Sequence, residues 1–216
     1  MDYLILYFVL FCSSIYFIWL SFESRRIRGL KKVSKKLGFS FTSRPLRDSI
    51  NHPVSRLFEH GGEDRFFHAM EGTYNGAKCV ISEYHYYDRI GGETSKMKIT
   101  VFIFENLKKK IPFFEICPKP NNSSFFLLKS VPKELDIESG KTELDDHFLV
   151  QGKETRKIRK ILNSFDRGTL LKHPRMSIES QGGLLMFYNE WHRTKPSKLE
   201  NELEFYYNLF RVVNDS

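Results

Sequence analysis

Tyr3 to Phe22 is an apolar and aromatic run without a single charged residue, interrupted by Ser13 and Ser14. As a helix rising about 1.5 Å per residue it would reach about 30 Å, the thickness of a bilayer's hydrocarbon core. The pattern therefore predicts a transmembrane helix over residues 1–22, with Tyr3 and Tyr7 near one interface and Tyr16 and Trp19 near the other. A cleaved signal peptide fits less well, because Met1-Asp2 is not a basic n-region and Trp19-Leu20-Ser21-Phe22 is a poor cleavage site. Ile27, Leu30, Val33 or Ser34, and Leu37 then recur at helical spacing with basic residues on the other face. Leu37-Gly38 reads as a helix end, so residues 23–38 are expected to form a basic juxtamembrane helix.

Residues 39–216 read as one α+β domain. Phe39 and Phe41 suggest a short strand, and Pro53 is placed to start a short helix ending at Gly61-Gly62. A β-meander follows from Phe66 to about Cys117. Its first turn is Asn75-Gly76, a strong hairpin signal because both residues tolerate positive φ. Lys96–Phe104 alternates, with Met97, Ile99, Val101 and Ile103 opposite Lys96, Lys98 and Thr100. Beyond a turn-rich stretch with an apolar patch at Phe125–Leu128 come a strand at His147–Val150 and a helix carrying Ile158, Ile161, Leu162 and Phe165 on one face. A second hairpin, Met176–Trp191, turns at Gln181-Gly182-Gly183. Ser197 and Glu200 form a capping box for a last helix with a stripe of Leu199, Leu203, Tyr206, Phe210 and Val213. The expected fold class is thus α+β: an N-terminal transmembrane helix, an antiparallel β-meander, a second hairpin and flanking helices.

Charge adds an orientation. Of the formal net charge of +8, +6 falls on residues 23–42 and −1 on Asp2, which leaves +3 for residues 43–216. The basic residues Arg25, Arg26, Arg28, Lys31, Lys32, Lys35 and Lys36 would keep their side of the span in the cytoplasm, with the N-terminus out. They are also the candidate membrane-surface residues, attracted to anionic lipid headgroups. A nucleic-acid binder would carry its excess charge on the folded domain, so no nucleic-acid partner is expected. The 20 Phe and 10 Tyr exclude a disordered chain. Cys12, Cys79 and Cys117 cannot pair completely, which suits a reducing compartment.

Candidate chemistry converges on the first hairpin. A two-residue turn at Asn75-Gly76 pairs Tyr74 with Ala77 and, stepping outward, Met70 with Ile81, His68 with Glu83 and Phe66 with His85. His68, Glu83 and His85 would then share one face. Two imidazoles and a carboxylate are donors that zinc accepts, and they suit acid–base work equally. A cross-strand hydrogen-bonded pair is the plainer alternative. Asp64 with Glu83 and His85 faintly follows a nuclease pattern that normally has a lysine in place of His85. No Gly-rich phosphate loop or nucleophile elbow occurs.

The single N-terminal span, Lys35-Lys36-Leu37-Gly38-Phe39, Gly72-Thr73-Tyr74-Asn75-Gly76, Ile81-Ser82-Glu83-Tyr84-His85-Tyr86 and Ile111-Pro112-Phe113-Phe114 together resemble bacterial single-pass membrane-anchored proteins of unknown function. The resemblance covers residues 1–120. It implies an inner-membrane location and carries no activity. The sequence is accordingly expected to encode a membrane-tethered cytoplasmic binding or interaction module, with a protein partner, anionic lipid at the juxtamembrane stretch and no cofactor. The alternative is a metal-dependent hydrolase centred on His68, Glu83 and His85.

Overall fold

The structure is a computed structural model, and it describes residues 2–43, 65–90, 93–105, 107, 111–119, 137–138, 142–181 and 183–215. Asp64, the helix expected after Pro53, and the Phe125–Leu128 patch lie outside these residues.

A 36-residue helix, α1 (Asp2–Leu37), comes first. The strands are β1 (Ser40–Thr42), β2 (Arg65–Tyr74), β3 (Ala77–Ile90), β4 (Glu93–Glu105), β5 (Phe114–Pro118), β6 (Phe148–Gly152), β7 (Met176–Gln181) and β8 (Leu184–Asn189). The later helices are α2 (Thr142–His147), α3 (Thr155–Ser164), α4 (Arg167–Leu171) and α5 (Leu199–Asp215), the last entered through a 3-10 turn at Pro196–Lys198. Among the described residues the eight strands form one sheet in the order β1-β2-β3-β4-β8-β7-β5-β6. Every described neighbouring pair is antiparallel. The β7–β8 hairpin thus sits between β4 and β5, which are consecutive in sequence.

The alternation of strand residues sorts two apolar layers. On one face Met70, Cys79, Ile81, Phe102, Phe104, Ile178 and Phe187 meet Leu30 and Val33 of α1, Ile158 and Leu162 of α3, and Leu203, Tyr206 and Phe210 of α5. On the other face Phe66, Val80, Tyr84, Tyr86, Ile99, Val101, Met186 and Tyr188 form a second cluster. Strands buried on both sides need apolar residues at both parities, and β3 and β4 supply them.

The first hairpin keeps the expected register from Tyr74↔Ala77 to Met70↔Ile81. Both turn residues have positive φ, 47° at Asn75 and 86° at Gly76, as a primed two-residue turn requires. Beyond Met70 the ladder shifts. Phe67 pairs with Glu83, Phe66 with Tyr84 and Arg65 with His85, because β2 carries a bulge between Phe67 and Met70. His68 occupies it with φ of 51°, a left-handed conformation that histidine visits more readily than most side chains. The extra residue turns Phe66 to the opposite face, where its ring lies 5.1 Å from that of Tyr84. The one-to-one pairing of His68 with Glu83 and Phe66 with His85 is therefore corrected.

The N-terminal expectation is corrected as well. Residues 2–37 form one helix with no break at 22/23. Among the described residues no helix is long and apolar enough to cross a membrane. This overturns the transmembrane helix over residues 1–22, and with it the membrane tether and the single-pass inner-membrane location.

The second half of α1 belongs to the folded body. Leu30 and Val33 are buried, and Gly29 lets the helix approach Pro196 so closely that an added Cβ would stand 2.9 Å from the proline's Cβ. The helix ends in a Schellman cap: the Phe39 amide donates to the Ser34 carbonyl at 2.9 Å and the Gly38 amide to that of Lys35 at 3.3 Å. Gly38 has φ of 70°, the left-handed value this cap demands. The chain leaves directly into β1.

Candidate functional site

The polar residues that the hairpin brings together sit beneath α1. Glu83 projects from β3 on the same face as Ile81 and is almost fully buried. Arg26 of α1 donates from Nε to its Oε1 at 2.6 Å. Arg193, from the segment between β8 and α5, donates from Nη2 to its Oε2 at 2.7 Å. His68 Nδ1 lies 3.0 Å from the same Oε2, and the bulge is what lets the imidazole reach it. His85 Nε2 stays 3.8 Å away, its ring stacked on that of Phe67 with centroids 4.4 Å apart.

The cluster continues along the helix. Arg193 also grips Glu23 of α1 through two parallel bonds, Nη1 to Oε1 at 2.9 Å and Nη2 to Oε2 at 3.0 Å. Lys98 of β4 donates to Glu23 Oε1 at 2.7 Å. Arg26 Nη2 donates to the Thr194 carbonyl at 2.7 Å. That segment is itself pinned to β4, since the Thr100 amide donates to the His192 carbonyl at 3.1 Å and the Thr194 amide to Thr100 Oγ1 at 2.9 Å. Trp191, two residues before Arg193, has φ of 55°. Two backbone positions in a region costly for L-residues thus flank one ion-pair cluster.

Burial by itself would raise the Glu83 carboxyl, but the bonds from His68 and Arg193 and the charge of Arg26 hold it well below the usual carboxylate range. Glu23 follows the same balance: burial raises it, Arg193 and Lys98 outweigh burial, and it falls to about 2. Burial lowers His85, with the neighbouring lysines Lys98 and Lys96 acting in the same direction. Arg193 rises, because Glu83 and Glu23 outweigh its desolvation. Among the described residues, both ring nitrogens of His85 and the Nε of Arg193 are buried without a hydrogen-bond partner. Such atoms carry a desolvation cost that the paired charges around them must offset.

His68, Glu83 and His85 are thus neighbours, as the sequence led one to expect, but the carboxylate is turned to two guanidinium groups. Among the described residues no group of three His, Cys, Asp or Glu side chains is placed to hold a metal ion. Of the candidate membrane-surface residues, Arg25, Arg28, Lys31, Lys32, Lys35 and Lys36 are exposed, while Arg26 turns inward to Glu83. Lys36 pairs with Glu200 of α5 at 2.5 Å, and Lys31 lies over the Phe41 ring.

Arg193, Glu23 and Lys98 were not foreseen. Glu23 carried a signal, as the one acid in a run of seven basic residues, positioned one turn before Arg26 on the stripe that continues to Leu30. Arg193 carried none, being 110 positions from Glu83. A second buried polar row lies on the other face, where Glu115 of β5 pairs in register with Glu179 of β7 and Tyr188 donates to Glu179 at 2.6 Å. Nothing in the alternation of β5 or β7 announced it.

No family model matches the chain, and no curated protein matches it in sequence. The fold is similar to the crystal structure of the mycobacterial trehalose monomycolate transport factor A, TtfA. The TM-score is 0.56 at 12% identity, over 86% of this chain and 94% of that one. At that identity the likeness is one of fold.

Proposed function

We propose that this chain is a non-enzymatic interaction module, in which the sheet and its helices form a rigid body that presents the first half of α1 to a partner protein. The observation that carries this reading is what the polar cluster does. Glu83, the carboxylate on which a hydrolytic site would depend, is turned to Arg26, Arg193 and His68, and those bonds fasten α1 to the sheet. A general base must reach the proton it abstracts, and a carboxylate held by two guanidinium groups and kept ionised is a weak one. The other half of the helix supports the reading from the opposite side. Tyr7, Phe8, Phe11 and Phe22 are each more than 60% exposed, and contiguous exposed apolar surface of this kind marks interaction sites. The neighbour in fold is described as a transport factor, a description that names no catalytic activity.

The test is photo-crosslinking of the full chain in cells. A benzophenone amino acid replacing Phe8 or Phe11 should give a discrete protein adduct, and one replacing Lys157 on the exposed side of α3 should give none. The reading fails if the helix positions give no adduct, or if the purified chain shows a metal-dependent hydrolase activity that Glu83→Gln abolishes.

A further inference from the structure

The exposed half of α1 has a pattern and a symmetry that say what it fits. Phe8, Phe11, Ile15 and Phe22 are spaced by three, four and seven residues, one stripe of a heptad seam, and stand 67, 64, 51 and 64% exposed. The run from Tyr3 to Phe22 is uncharged, and its ends differ. Asp2 stands just before it, whereas Arg25, Arg26 and Arg28 follow closely. The small residues Cys12, Ser13 and Ser14 sit at its midpoint, and Ser14 returns its hydroxyl to the Leu10 carbonyl, so it needs no outside partner.

We propose that the occupant of this surface is a second copy of the chain, the two helices pairing antiparallel about a two-fold axis beside Ser13. This rests on the interaction-module reading and names its partner. Centring the pair on Ser13 brings Phe11 level with Ile15 of the partner copy, so the seam is its own complement, as an isologous contact requires. It also brings Asp2 level with Ser24 of the partner copy, next to the first arginine. A parallel pair would instead set the two basic stretches side by side. In the antiparallel pair they stand about 36 Å or more apart, several times the Debye length of about 8 Å at physiological salt. Six phenylalanines from the two copies, at about 150–250 Å² each and about two-thirds exposed, supply roughly 600–1,000 Å². With Ile15 and its neighbours the contact reaches the approximately 1,000 Å² that a specific interface needs.

The experiment uses the full chain. Light scattering should give twice the monomer mass, and Phe11→Glu should return the mass of one chain with an unchanged far-ultraviolet spectrum. In a Cys12→Ser background, Phe11→Cys combined with Ile15→Cys, two positions that the antiparallel register sets level across the seam, should form a copy-to-copy disulfide under mild oxidation. Phe22→Cys alone should not, since its counterpart would lie about 27 Å away along the helix. Cross-linking by Phe22→Cys alone would mean a parallel pair and overturn the proposal. So would a chain that stays monomeric, whether in buffer, bound to lipid vesicles or holding a different protein. In that last case the interaction module would stand and only its self-association would fall.

Discussion

One helix carries two chemistries. From Glu23 to Leu37, α1 buries charge: Glu23 and Arg26 face Glu83, Arg193 and Lys98, and Leu30 and Val33 close the layer behind them. Earlier on the helix it does the reverse: Ile5, Tyr7, Phe8, Leu10, Phe11, Ile15, Tyr16, Leu20 and Phe22 show apolar side chains outward. Hydrophobicity alone would have buried the first half and exposed the second. The sheet inverts that order because it offers the second half matched counter-charges and a closely fitting wall at Pro196. Burying an ion becomes tolerable when several partners converge on it, whereas apolar surface stays outside when no wall of the body faces it.

Breaking the polar half should cost most. Glu83→Ala leaves Arg26 and Arg193 facing a hole and should destabilise the chain by about 3–5 kcal/mol in urea unfolding, as removal of one member of a buried ion pair does. A loss below about 1 kcal/mol would mean that the cluster does not hold α1. The apolar contrast comes next. Leu30→Ala should cost about 2–4 kcal/mol, whereas Ile15→Ala, on the same helix, should stay within about 0.5 kcal/mol in dilute solution. Equal losses would erase the distinction between the two halves.

The smallest effect, and the one that sharpens the comparison, is with pH. The folded values of Glu23 and Glu83 lie below their ordinary 4.5, so the unfolded chain takes up protons first as pH falls. Their contribution is complete above about pH 4.5 and is lost below it, for Glu23 down to about 2. His85 lies below its ordinary 6.5, so its contribution is complete above that value and declines as pH falls through it. Urea midpoints measured from pH 8 to 3 should therefore fall in two stages. His85→Phe should shrink the upper stage, to which His173, also lowered by burial, contributes, and Glu23→Gln should shrink the lower. A single step unaffected by His85→Phe would show that the imidazole does not titrate with unfolding.

Local chemistry was readable in the sequence, and long-range chemistry was not. Asn75-Gly76 defined the turn because both conformations are local properties, and the alternation from Met97 to Ile103 marked a strand for the same reason. The stripe Leu199, Leu203, Tyr206, Phe210 and Val213 is buried along α5. The bulge was invisible because its left-handed residue is a histidine, where a glycine would have announced it. Arg26 was read with its basic neighbours because nothing in residues 23–42 reveals that Glu83 and Thr194 wait across the sheet. The apolar run was read by length and charge, and how a helix half is held depends on what the rest of the chain builds beside it.

The strand order carries a consequence for biogenesis. Because β7 and β8 fill the gap between β4 and β5, the middle of the sheet cannot close until the chain has been made through Asn189. At about 5–20 residues per second, the stretch from Glu105 to Asn189 takes the ribosome roughly 4–17 s. During that time β4 waits with an unpaired edge lined by Val101, Phe102, Ile103 and Phe104, a template for misassembly. Arg193 and Thr194, which fasten the first helix, emerge only just after the hairpin that seals this edge. The helix α1, made well before them, is therefore among the last elements to be locked, and a chain stalled before Arg193 would display it loose.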